Sequence, residues 1–102
     1  MRELVWSEEA RIEFRREIAF IAQDDPYAAR LVGQRISDAA LKLQEIHTGR
    51  SGRVDGTFEK SVYKTSYIIA YAMTEEAITI LRVIHSSRLW LDGEWPQDNQ
   101  SS

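Results

Sequence analysis

The sequence contains no cysteine. Disulfides and thiolate metal sites are therefore excluded, and a reducing compartment is compatible with the chain. No apolar run approaches the ~18 residues of a membrane span. The opening Met1-Arg2-Glu3-Leu4-Val5-Trp6 has no apolar signal-peptide core, so the expectation is a soluble, cytoplasmic protein. Histidine is scarce: His47 and His85 are the only two, too few and too far apart in sequence to argue a metal site. There is no phosphate-binding glycine loop, and no nucleophile motif surrounds a serine; no cofactor is expected. A strong excess of positive charge is missing as well. The formal net charge is -3, and it is unevenly spread. Residues 91–102 carry Asp92, Glu94 and Asp98 with no basic residue, which is the whole excess, while residues 1–90 balance. A general nucleic-acid binder presents a basic face, so tight, non-specific RNA binding by the whole surface is not expected.

What the chain does have is a length that fits one domain, 102 residues, able to bury roughly two-thirds of the surface its unfolded form exposes. We read a single domain over residues 1–90 and an acidic, flexible tail over residues 91–102. Arg2 to Trp6 reads as a short strand, cut off by Ser7. Ser7 is a good helix N-cap, and Glu8 and Glu9 follow where the helix dipole favours negative charge. A helix is predicted from Glu8 to Gln23, with Ala10, Phe14, Ile18 and Ile21 on one stripe. Ile12, Ala19 and Phe20 lie well off that stripe, so this helix has apolar surface on more than one side: either it packs on two things, or one side waits for a partner. Asp24-Asp25-Pro26 ends the first helix and caps a second, predicted from Pro26 to Ile46, with Ala29, Val32, Ile36, Ala39, Ala40 and Leu43 as its core stripe. So short a link makes the pair an antiparallel hairpin.

Next comes a glycine-rich loop, Gly49-Arg50-Ser51-Gly52-Arg53-Val54-Asp55-Gly56-Thr57. Three runs then read as strands: Phe58–Lys64, Tyr67–Met73 and Ile78–His85. Their short connections imply antiparallel neighbours. Tyr67–Met73 is apolar on both faces, which marks a central strand. The fold class is α+β: an N-terminal strand, a helical hairpin, then a three-stranded antiparallel meander in one sheet.

Three places have chemistry to offer. Arg50 and Arg53, three residues apart, can both reach a phosphate or carboxylate, unless they are solvated or paired with Asp55. His85 with Arg88 follows the last strand, where a neutral imidazole can act as acid or base or merely bond backbone. Arg82 sits inside an apolar strand and needs a paired acid or water. Regular alternation places Arg82 with Ile80 and Ile84, and His85 on the opposite face with Leu81 and Val83. These two share a site only if a bulge or strand end re-aims one of them.

With these residues in view, the chain resembles the RelE/ParE superfamily of toxins from bacterial type II toxin–antitoxin modules, and is most similar to its ParE-like plasmid-stabilisation branch. The matching pieces are the Gly49–Thr57 loop, Tyr67-Ile68-Ile69-Ala70-Tyr71, and Ile80-Leu81-Arg82-Val83-Ile84-His85 through Arg88 and Trp90, in that order, within residues 2 to 90. The sequence departs from the usual pattern at Ser66, often proline, and at Phe58-Glu59, where arginine is common first. The resemblance implies a toxin that arrests growth and is neutralised by a cognate antitoxin, whose contact surface we expect to include Ile12, Ala19 and Phe20. Two targets follow from the family. ParE-like members act on DNA gyrase; on that reading Arg50, Arg53, Arg82 and Arg88 contact the target. RelE-like members cut mRNA on the ribosome; on that alternative His85, Arg82 and Arg88 form the catalytic set. The near-neutral body, the single histidine at the end of the sheet and the absence of a tyrosine after it favour the gyrase reading.

Overall fold

A computed structural model describes residues 1–87. In chain order the elements are β1 (Glu3–Trp6), α1 (Glu8–Asp24), α2 (Pro26–Leu43), β2 (Arg50–Ser51), β3 (Phe58–Ser61), β4 (Tyr67–Met73) and β5 (Ala77–His85). The strands form one sheet in the order β1-β5-β4-β3-β2, and β4, apolar on both faces, is its middle strand. The helical hairpin covers one face.

Local chemistry explains most boundaries. The Ser7 side chain accepts a hydrogen bond from the Ala10 amide at 3.0 Å and so caps α1. Asp25 does the same for α2 through the Ala28 amide at 3.0 Å, with Pro26 at the first helical position. α2 ends at Leu43, short of the predicted Ile46, because Gln44 and Glu45 switch to carbonyls three residues back. β3 ends at Ser61 rather than Lys64. There the Val62 amide donates to Tyr67 O, the Thr65 amide donates to Val62 O, and Lys64 takes a positive φ of 58°, so the chain is already turning.

The sheet is mixed rather than purely antiparallel. The meander β3-β4-β5 is antiparallel, as its short links require. β1 joins β5 in parallel, Glu3 opposite Ala77 and Trp6 opposite Ile80, which the long connection between them permits. A fifth strand, β2, arises inside the glycine-rich loop, two residues paired with Glu59 and Phe58.

The core lies between the hairpin and the sheet. Ala10, Ile36, Ala40 and Leu43 from the helices meet Ile69, Tyr71, Ile78, Ile80 and Val83 from the strands, all fully or almost fully buried. Each large side chain removed from water contributes about 1.5–3 kcal/mol. A smaller cluster on the other face joins Ala70, Ile84 and Val54. Among the described residues no helix is long and apolar enough to cross a membrane.

Candidate functional site

The phase of β5 decides which side chains share a face. Ala70 lies opposite Arg82, but Tyr71 lies opposite Ile80. Leu81 is the extra residue of a β-bulge. The regular alternation expected from the sequence therefore breaks at Leu81. Ile80 shares the helix-covered face with Val83 and His85, while Arg82 and Ile84 belong to the other face. Arg82 and His85 remain on opposite faces, and the bulge does not bring them together.

On the face away from the helices, four residues form one row across four strands: Arg50, Glu59, Ala70 and Arg82 are consecutive register partners. At roughly 4.8 Å per strand, the row is short enough for one partner surface to span. Arg53 folds onto the same row. Its backbone amide donates to Glu59 Oε2 at 3.0 Å, and its Nε lies 3.5 Å from that oxygen. Arg50 is exposed, with no side-chain partner among the described residues. Arg50 and Arg53 thus come to one place, and Arg82 joins their row by register while its guanidinium turns to Glu13 of α1; the fourth predicted target-binding residue, Arg88, lies outside the described residues, as does the 91–102 tail.

The loop that carries Arg50 and Arg53 is pinned at both ends. The Gly49 amide donates to the Tyr71 hydroxyl at 3.0 Å, and His47 Nδ1 lies 2.8 Å from the same oxygen. Tyr71 is fully buried and stacks on Phe58. Burial pushes its hydroxyl pKa up from 10.0, and the Gly49 hydrogen bond opposes that shift. A Cβ at Gly49 would stand 2.2 Å from the Tyr71 hydroxyl, so only glycine allows this approach. At the other end Gly52 N–H donates to Thr57 O at 2.8 Å, and Gly56 takes a φ of 84°. Val54 packs on Ala70 and Ile84, holding the loop against the row.

Arg82 is not a free cation. Its Nε donates to Glu13 Oε2 at 3.0 Å, its Nη2 donates to the same oxygen, and Glu13 Oε1 accepts the Val83 amide at 3.0 Å. Both side chains are about one-eighth exposed (12% and 14%). The carboxylate therefore closes the stretch of β5 edge left open where β1 stops at Ile80. Ser7 completes this closure, since its hydroxyl donates to the Leu81 carbonyl at the bulge, 3.2 Å away.

His85 has a different environment. Its Nδ1 accepts the Ser87 amide at 3.1 Å and meets the Ser87 hydroxyl at 2.7 Å. Its ring stands edge-on to Tyr67, whose hydroxyl donates to Glu17 Oε1 at 2.9 Å. Because a backbone N–H can only donate, Nδ1 is an acceptor here, and the neutral ring carries its proton on Nε2.

Ile12 and Phe20 are 43% and 67% exposed, and Ala19 is exposed with them. At 3.6 residues per turn the three group on the side of α1 opposite Ala10, Phe14 and Ile21. Sequence reasoning missed Glu13 and Glu59, the carboxylates that hold Arg82 and Arg53. Glu59 alternates onto the loop side of its strand and was findable; Glu13 lies 69 residues from Arg82, with no local signal. Among the described residues no group of His, Asp and Glu could hold a metal ion.

Residues 4–90 match the family model described as ParE toxin of type II toxin-antitoxin system, parDE. The chain is 38% identical over 73 residues to "Putative toxin Y4kP" of Sinorhizobium fredii, covering 71% of this chain and 75% of that one. It is 28% identical over 89 residues to "Toxin RelE2" of Caulobacter vibrioides, 87% of this chain and 100% of the other. A solved structure titled "Chromosomal ParDE TA system from P. aeruginosa" superposes with a TM-score of 0.77 at 20% identity, over 83% of this chain and 96% of that one.

Proposed function

This chain belongs to the ParE toxin family of type II toxin–antitoxin systems within the RelE/ParE superfamily, and from that membership we propose that it arrests growth by binding DNA gyrase in the cytoplasm, not by cutting RNA. The observation that carries this reading is the hydrogen bonding of His85. To take a proton from a ribose 2′-OH, the neutral ring needs an unprotonated nitrogen facing substrate. Nδ1 is occupied by the Ser87 amide, and Nε2 holds the proton. The arginines also leave little cation surplus: Glu13 of α1 offsets Arg82 and Glu59 offsets Arg53. That suits a small charge-assisted contact with an acidic protein surface better than an RNA backbone.

On this reading Arg50, Arg53, Arg82 and Arg88 are the target-binding set, with Arg50 and Arg53 the exposed contacts among the described residues. A cognate antitoxin is the family's implied partner, and we assign it the exposed Ile12, Ala19 and Phe20 side of α1, which suits an amphipathic segment that folds as it binds. The deciding experiment runs a gyrase supercoiling assay beside a ribosome-bound mRNA cleavage assay. We expect inhibition of supercoiling that survives His85→Gln and is lost with Arg50→Ala in a still-folded protein. Cleavage of ribosome-bound mRNA by wild type, abolished by His85→Gln alone, would establish the ribonuclease with His85, Arg82 and Arg88 as its catalytic set.

A further inference from the structure

The hydroxyl of Tyr71 has a hydrogen to place and almost nowhere to place it. Tyr71 is fully buried, and burial favours the protonated form of its hydroxyl. The Gly49 amide donates to the oxygen at 3.0 Å and, being an N–H, cannot accept. His47 Nδ1, 2.8 Å away, is the one acceptor offered to that hydrogen among the described residues. The hydroxyl therefore donates to Nδ1, and the neutral ring carries its proton on Nε2. Holding the Gly49 amide needs only the oxygen; what the imidazole adds is an unprotonated nitrogen.

That nitrogen stands where protons reach it. His47 is exposed, between α2 and β2, with its ring edge-on to Phe58 and Tyr71 at centroid distances of 4.5 and 5.9 Å. Imidazole changes charge between about pH 5 and 8. A protonated ring points an N–H at the hydroxyl. Two donors then converge on one oxygen, and the hydrogen of Tyr71 is stranded in a place water does not reach. An unsatisfied buried donor is costly, whereas an exposed ring can turn to solvent. The charged groups around the ring do not hold the cation in place. Lys42 and Glu45 precede it, Arg50 follows it, β3 brings Lys60 on the side of Phe58, and β4 brings none. No ion pair links any of these to His47 among the described residues.

Gly49 directly precedes Arg50, whose strand is only two residues long. The rest of the loop has anchors of its own: the Arg53 amide on Glu59, Gly52 on Thr57, and Val54 on Ala70 and Ile84. Loss of the His47 contact therefore loosens Arg50 and spares Arg53.

We propose that His47 is a positioning residue for Arg50: neutral, it accepts the Tyr71 hydroxyl and holds the start of the arginine loop; protonated, it releases it. The hold is complete above the imidazole range and is lost as pH falls through it. The latch stands on the geometry of the free toxin, while its effect on a target rests on the gyrase reading above.

In the isotope-labelled full chain at about pH 8, the imidazole nitrogen signals should show Nδ1 without a proton. Amide protection at Gly49, corrected for the intrinsic exchange rate at each pH, should fall about tenfold between about pH 8 and pH 5, with Gly52 unchanged. His47→Asn keeps an oxygen near the place of Nδ1 and does not titrate, so its Gly49 protection should stay constant. His47→Phe keeps a ring on Phe58 but has no acceptor, and should show the low value at both ends. A protonated Nδ1 at the higher pH, wild-type protection that ignores pH, or an equal fall in His47→Asn or at Gly52 would overturn the proposal. Calorimetric binding to gyrase should weaken severalfold on acidification in wild type and not in His47→Asn. No binding at the higher pH would defeat the gyrase reading and leave the exchange result to decide the latch; binding that ignores pH while Gly49 exchange responds would defeat the positioning role.

Discussion

Glu13→Ala is the most informative single change in this fold. It removes the acceptor for the Val83 amide and for two nitrogens of Arg82. Both side chains of the pair are only about one-eighth exposed, so water replaces the lost partner poorly. Breaking a buried pair from one side costs about 3–5 kcal/mol, and an unsatisfied buried amide about 1–3 kcal/mol. These losses share one carboxylate and do not add in full, so about 3–5 kcal/mol is expected, out of a total stability of about 5–15 kcal/mol. Urea denaturation should show a lower midpoint at unchanged slope, and hydrogen exchange at Val83 should quicken. A loss under about 1 kcal/mol, the range of exposed surface pairs, would refute the claim that Glu13 closes the β5 edge. If Glu13→Ala does not fold, Glu13→Leu/Arg82→Leu tests the same reasoning. Replacing both partners with apolar groups removes the buried cation together with its carboxylate and should recover most of the lost stability; a double variant no more stable than Arg82→Leu alone would count against it.

Other outcomes follow from the loop anchor and from α1. The raised Tyr71 pKa makes the folded state hold a proton that the unfolded state releases. Its contribution is fully present below pH 10.0, the unfolded value, and is lost as pH rises through the folded pKa. Tyr71→Phe should therefore flatten the alkaline decline in stability, and a decline as steep as wild type would contradict this. Gly49→Ala should destabilise by about 1–3 kcal/mol through its clash with Tyr71. Gly33→Ala should instead stabilise by about 1 kcal/mol in thermal melts, because its Cβ would meet Ile18 at an ordinary 3.5 Å within a helix. Ile12→Ser/Phe20→Ser should weaken antitoxin binding by about tenfold or more in calorimetry while shifting stability by less than about 0.5 kcal/mol, since surface changes are usually that small.

The elements visible in the sequence were those written in local chemistry. Ser7 and Asp25-Pro26 announce their helices, and the doubly apolar Tyr67–Met73 announces a middle strand. What stayed hidden depends on residues far apart in the chain. Nothing near Glu3 says that it will lie beside Ala77, and nothing near Leu81 says that the strand carries an extra residue there. That one residue moves Ile80 off the face of Arg82 and leaves Ile84 on it. The arginines themselves were legible as candidates because each is an anomaly where it stands, Arg82 in an apolar strand and Arg50 and Arg53 among glycines. Of their carboxylate partners, Glu59 was within reach of the alternation of its strand, but Glu13 looks ordinary on its helix and lies 69 residues from Arg82.

The place of β5 between β1 and β4 bears on how this molecule comes into being during synthesis. The first strand made must wait for the last, since Glu3 and Ala77 are register partners. Until β5 leaves the ribosome, β1 has no neighbour, Glu13 has no Arg82 to bind, and the sheet lacks the strand that joins its halves. Closing so distant a pairing is intrinsically slow. A nascent chain interrupted anywhere before β5 is therefore missing a piece that nothing upstream can replace. For a member of a toxin family, such a topology withholds the assembled sheet, and whatever depends on it, until β5 has been made.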